Sequence, residues 1–99
     1  MDILICDDEP LAVERLSRLV SQLGHQVIAT AQHGQQALEM VQQFEPDVVL
    51  LDIQMPEMDG LSCAQHLAHF NPTPAIVFCT AFDEHALQAI QSQAKGYLL

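Results

Sequence analysis

Short apolar runs recur along this chain, separated by about ten to fifteen residues of helical spacing. That alternation limits the fold more than any other feature. Ile3 to Cys6 runs into Asp7-Asp8-Glu9, Val27 to Ala31 is a shorter and less apolar run, and Asp47-Val-Val-Leu-Leu-Asp52 carries a carboxylate at its end. Ala75 to Cys79 ends at Thr80, and Gly96-Tyr97-Leu98-Leu99 begins a fifth run. Runs apolar on both faces are buried strands of a parallel sheet.

The intervening segments read as helices. Pro10 suits a first helical turn, where its missing N–H costs nothing, and Leu11, Ala12, Leu16, Leu19, Val20 and Leu23 recur on one face until Gly24. Gly34 precedes a second stretch with Ala37, Leu38, Val41 and Phe44 on one face, and Pro46 lies just beyond it. Asp59 suits the N-cap of a helix carrying Leu61, Ala64, Leu67 and Ala68, and Asp83 that of a fourth through Ala86, Leu87, Ile90 and Ala94. Strands alternating with helices imply right-handed crossovers and helices on both faces of one sheet, so residues 1–99 read as a single α/β domain. Val27 to Ala31, the least apolar strand, is expected near an edge.

In open sheets of this kind ligands gather at the carboxyl ends of the strands. That rule puts Asp7, Asp8, Asp52 and Thr80 along one rim if their strands are neighbours. Three carboxylates within about 5 Å repel one another by roughly 3 kcal/mol per pair at an effective dielectric near 20. A proton or a hard cation must relieve that repulsion, and oxygen donors without histidine or thiolate favour magnesium over manganese or calcium. A carboxylate is also a usable nucleophile toward phosphorus, so Asp52 is the candidate acceptor of a phosphoryl group and Thr80 a hydroxyl donor to its oxygens.

Charge narrows the partners. The formal net charge is -10, with Arg15, Arg18 and Lys95 the basic side chains. Such a surface repels phosphate backbones and anionic lipids, so neither nucleic acid nor a membrane is expected to bind this segment directly. The three cysteines, Cys6, Cys63 and Cys79, sit in apolar runs without CxxC spacing and read as reduced, buried hydrophobes. With no basic leader before Ile3 and no run near the roughly 18 apolar residues of a membrane span, the cytoplasm is the expected compartment.

Four motifs together resemble the receiver domain of two-component response regulators: Asp7-Asp8-Glu9-Pro10, Leu50 to Gly60, Thr80-Ala81 and Gly96-Tyr97-Leu98-Leu99. Phe78 to Leu87 is most similar to regulators with a LytTR-type DNA-binding output, the kind that includes the alginate biosynthesis regulator. The resemblance implies a flavodoxin-like (CheY-like) five-stranded sheet of order 2-1-3-4-5. It further implies Asp52 as phosphoacceptor and magnesium on Asp7, Asp8, Asp52 and the Gln54 backbone carbonyl. Thr80 and Tyr97 match the switch pair, a sensor histidine kinase would be the phosphoryl donor, and a transcriptional output domain would lie outside this segment. Receivers carry a lysine directly after the segment matching Tyr97-Leu98-Leu99, then a final helix. Neither falls within these residues, and Lys95 precedes the strand, so the expectation is a receiver lacking its last helix and prone to self-association.

Other readings fit less well. A phosphohydrolase of the haloacid dehalogenase type expects a second acid two positions after its nucleophile, where this chain has Gln54. A flavin carrier needs a phosphate-binding loop after the first strand, where Asp7-Asp8-Glu9 would repel phosphate. His66 and His69 are spaced to share a helix face but lack a third ligand, and Met55 and Met58 are expected to pack the loop after Asp52.

Overall fold

A computed structural model describes residues 1–53, 55 and 58–78, together with the backbone of 79 and 96–98. The chain runs β1 (Asp2–Cys6), α1 (Pro10–Gln22), β2 (Gln26–Ala31), α2 (Gly34–Phe44), β3 (Val48–Leu51), α3 (Gly60–Leu67), β4 (Ala75–Cys79) and β5 (Gly96–Leu98). All strand pairs are parallel, in the order β2-β1-β3-β4-β5, so the sheet has the expected flavodoxin-like topology with β2 at an edge. The helix expected from Asp83 to Ala94 lies outside the described residues, as do Gln54 and Thr80.

The two faces of the sheet divide the core. Leu4, Cys6, Val49, Leu51, Ile76 and Phe78 point to one side, where Ala37 and Val41 of α2 and Cys63, Ala64 and Leu67 of α3 cover them. Ile3, Ile5, Val48 and Leu50 point to the other and pack on Val20, Val13 and Leu16 of α1. Alternate residues of one strand thus serve opposite helical layers, which explains why these runs are apolar throughout.

Helix α1 buries a narrower stripe than its spacing predicts. Ala12 and Val20 are buried, whereas Leu11 is 78% exposed and Leu23 66%. The stripe packed on the sheet runs through Val13, Leu16 and Val20, and at about 100° per residue Leu11 lies well round the helix from it. Leu19 falls on its margin. Leu23 is past the last helical turn, and Gly24 follows at φ 86°, a left-handed backbone that glycine adopts without a Cβ clash. Phe44, expected on the apolar face of α2, is likewise exposed at the helix end.

Strand β2 also holds a register shift. Ile3 pairs with Val27 but Leu4 with Ala29, so Ile28 is an extra residue on the edge strand, a bulge of the kind that blunts sheet edges.

Candidate metal and phosphoacceptor site

Strands β1 and β3 are direct neighbours, with Cys6 opposite Leu51, so the residues that follow them emerge side by side at the carboxyl edge. Both exits stay tied to the sheet. The Asp7 N–H donates to the Ala31 carbonyl (3.0 Å) and the Asp52 N–H to the Cys6 carbonyl (3.0 Å), extending the ladder one residue past each strand. Asp7 is fixed further by its Oδ1, which accepts from the Glu9 N–H at 2.9 Å. The predicted cluster forms: Asp7, Asp8 and Asp52 each offer a carboxylate oxygen, and these oxygens lie within 4.8 Å of one another.

Their environments differ. Asp7 is buried, Asp52 half-buried and Asp8 exposed, a gradient from sheet to solvent. Burial pushes the Asp7 carboxyl above its ordinary range; the Glu9 N–H opposes this, the charges of Asp8 and Glu9 add to it, and Arg15 offsets part. A donor set of carboxylates alone, converging from two rigid strand ends, fits a hard divalent cation such as magnesium.

The raised Asp7 value fixes a sign. The folded chain holds that proton more tightly than the unfolded chain, so this contribution to stability is present below the ordinary value of 3.8 and is lost as pH rises through the raised one. Asp7→Asn, which keeps an acceptor for the Glu9 N–H, is therefore expected to stabilise the metal-free chain at neutral pH. The gain should vanish in acid. Thermal melts in chelator check this, and an equal gain at both pH values would contradict it.

The loop after Asp52 is pinned by glycine. The Gly60 N–H donates to the Ile53 carbonyl at 2.6 Å, and a Cβ on Gly60 would overlap the Asp52 carbonyl oxygen and lie 2.7 Å from Ile53 Cα. Chain passing that close requires glycine. Asp59 caps α3 as expected, its Oδ1 accepting from the Ser62 N–H at 2.8 Å. Met55 is buried beneath the site, where its Sδ accepts from the Cys6 thiol at 3.3 Å, and Met58 packs on the edge of the core. Cys6 and Cys63 are free and buried; burial raises both thiols, Cys63 to about 11.

Two features had no clear sequence signal. His33 caps α2 through Nδ1, which accepts from the Gln36 N–H at 3.2 Å, a role more often filled by Ser, Thr, Asp or Asn. The close approach of Gly60 to Asp52 is a tertiary contact that spacing does not reveal. His66 and His69 are both exposed and join no metal cluster among the described residues. Tyr97 is placed by its backbone on β5 opposite Phe78, next to the strand that ends before Thr80.

A doubly wound parallel sheet with an acidic cluster where two neighbouring strands end defines a flavodoxin-like domain whose carboxylates are placed so that they could hold a cation. A family model for the response regulator receiver domain matches residues 3–99, and the chain belongs to that family, whose members are phosphoacceptor signalling modules. It is 52% identical over 101 residues to the positive alginate biosynthesis regulatory protein of Pseudomonas aeruginosa, covering 100% of this chain and 41% of that protein. The sensory transduction protein LytT of Enterococcus faecalis is 43% identical over 100 residues, again with 100% of this chain and 41% of the relative covered. The chain thus spans about two fifths of the length of these relatives.

Solved structures agree. The response regulatory domain of protein mrkE from Klebsiella pneumoniae superposes with a TM-score of 0.89 at 35% identity, covering 100% of this chain and 82% of that one. A CheX-CheY-BeF3-Mg+2 complex from Borrelia burgdorferi gives 0.90 at 27% identity, covering 100% of this chain and 77% of the other. Among the described residues no helix is long and apolar enough to cross a membrane.

Proposed function

We propose that Asp52 accepts a phosphoryl group from the phosphohistidine of a sensor histidine kinase. A carboxylate oxygen of Asp52 attacks phosphorus in line, the phosphorus–nitrogen bond breaks, and the electron pair leaves with the imidazole, producing an aspartyl phosphate. The observation that carries this reading is the convergence of Asp52 with Asp7 and Asp8 on adjacent strand ends, their oxygens within 4.8 Å. Asp7, Asp8 and Asp52 would hold magnesium with the backbone carbonyl of Gln54. Bound there, the ion supplies positive charge against the carboxylates and the incoming phosphoryl oxygens.

The remaining roles belong to the same proposal. Thr80 donates a hydroxyl hydrogen bond to the phosphoryl group, and the Tyr97 ring turns inward behind it. Water hydrolyses the acyl phosphate in the same site and resets the switch. The output is a DNA-binding domain of the LytTR type acting in transcriptional control in the cytoplasm; the similarity to the alginate regulatory protein supports this. The exposed Leu11, Leu19 and Leu23 on and beside α1 support self-association through that face.

Magnesium titration tests the site. Asp8→Ala is expected to weaken magnesium binding about tenfold or more, since a lost carboxylate ligand removes both charge and a donor. His66→Ala, on exposed α3 surface, should leave it unchanged. Equal effects of the two substitutions would place the cation elsewhere.

A further inference from the structure

Sulfur is concentrated beneath and beside the acidic site, and its atoms are unequally sheltered. Cys6 and Cys63 are buried, and their thiols are directed at the carbonyls of His33 (3.6 Å) and Gly34 (3.8 Å) at the start of α2. Met55, in contact with the Cys6 thiol, is also buried. Met58 is only partly buried, and it lies against Gly34: a Cβ there would sit 2.8 Å from Met58 Sδ and 2.9 Å from its Cβ and Cγ. The thioether thus fills the space above a glycine and joins the loop following Asp52 to the first turn of α2. Two residues further on, Gly60 is pressed against the Asp52 carbonyl.

We propose that Met58 is a reversible oxidation site through which peroxides weaken the Asp52 centre. This rests on the phosphoacceptor reading of that centre. A sulfur lone pair attacks a peroxide oxygen, the S–O bond forms as the O–O bond breaks, and the departing hydroxide takes the proton from the transferred oxygen and leaves as water, so that the sulfoxide remains. The sulfur is oxidised by two electrons and the peroxide reduced. A thiol-dependent sulfoxide reductase reverses it, the oxygen leaving as water while two thiols become a disulfide.

The consequence follows from packing. The product carries a polar oxygen on an atom already in contact with Gly34 and the rim of the apolar core, so the side chain must lift from the glycine. Met58 then loses its hold on α2, and Gly60, two residues on, its seat against the Asp52 carbonyl. Met1, the most exposed described methionine, lies at the start of the chain outside this contact and serves as an internal control.

The test treats the chain with hydrogen peroxide and follows three readouts: oxidation at each methionine by peptide mass spectrometry, the melting temperature, and magnesium affinity. Met58 should oxidise at least roughly fivefold faster than Met55, with a lower melting temperature and about tenfold weaker magnesium binding, all restored by methionine sulfoxide reductases. Met58→Leu should bind magnesium as the untreated chain does and lose this sensitivity although Met1 still oxidises. Equal oxidation of Met58 and Met55, an oxidised chain with unchanged melting and affinity, or a Met58→Leu chain equally impaired by peroxide would overturn the inference. Failure of the untreated chain to bind magnesium would instead overturn the reading of the site, and oxidation and melting would still decide the role of Met58.

Discussion

Asp52→Asn is expected to remove phosphoryl uptake altogether, from a phosphohistidine donor or a small phosphoramidate, by at least about 10³-fold. The amide keeps the size of the carboxylate but not its charge or nucleophilicity, and the backbone bond from the Asp52 N–H to Cys6 is untouched. The fold should therefore persist while the chemistry disappears. Removing one of three mutually repelling carboxylates should also raise the melting temperature of the metal-free chain. Acid-labile phosphate after incubation with donor and magnesium is the measurement. Undiminished labelling would show that another side chain accepts the group.

Gly60→Ala is expected to be the most damaging single-methyl addition to the loop. At an early helical position alanine ordinarily gains about 0.5–1 kcal/mol over glycine. Here the added methyl would overlap the Asp52 carbonyl oxygen and crowd Ile53 Cα at 2.7 Å, both backbone atoms that cannot rotate away. Forced overpacking of this kind costs about 1–3 kcal/mol, occasionally more, so the clash outweighs the propensity. Denaturant melts should show a net loss of stability, and magnesium affinity should fall because the displaced backbone is that of Asp52. A chain as stable as the parent would mean that the approach of Gly60 to Asp52 is looser than described.

The strand positions and the acidic rim were legible because burial on both faces leaves a continuous apolar run, and a carboxylate cannot continue such a run without a partner. Asp7 and Asp52 mark the ends of β1 and β3 for that reason, and strand adjacency does the rest. What spacing overstated was the reach of α1: apolar residues at three and four positions define a broad arc, but among the described residues the cluster on that sheet face draws on Val13, Leu16 and Val20 of it. Gly60 against Asp52 and Met58 against Gly34 were illegible for a different reason. They are contacts between segments distant in sequence or folded back on themselves, and glycine carries the same letter in a turn, at a cap or in a close approach. His33 was hidden by its rarity as a cap.

Tyr97 provides the most direct test of the central claim, because it is the sole tyrosine of a chain without tryptophan. Its fluorescence is a native probe of the strand beside the one ending before Thr80. Beryllofluoride, an analogue of the phosphoryl group, should change Tyr97 emission when magnesium is present, and should leave it unchanged in Asp52→Asn. Emission that does not respond in the parent chain, or responds equally in Asp52→Asn, would contradict a switch driven by phosphorylation of Asp52.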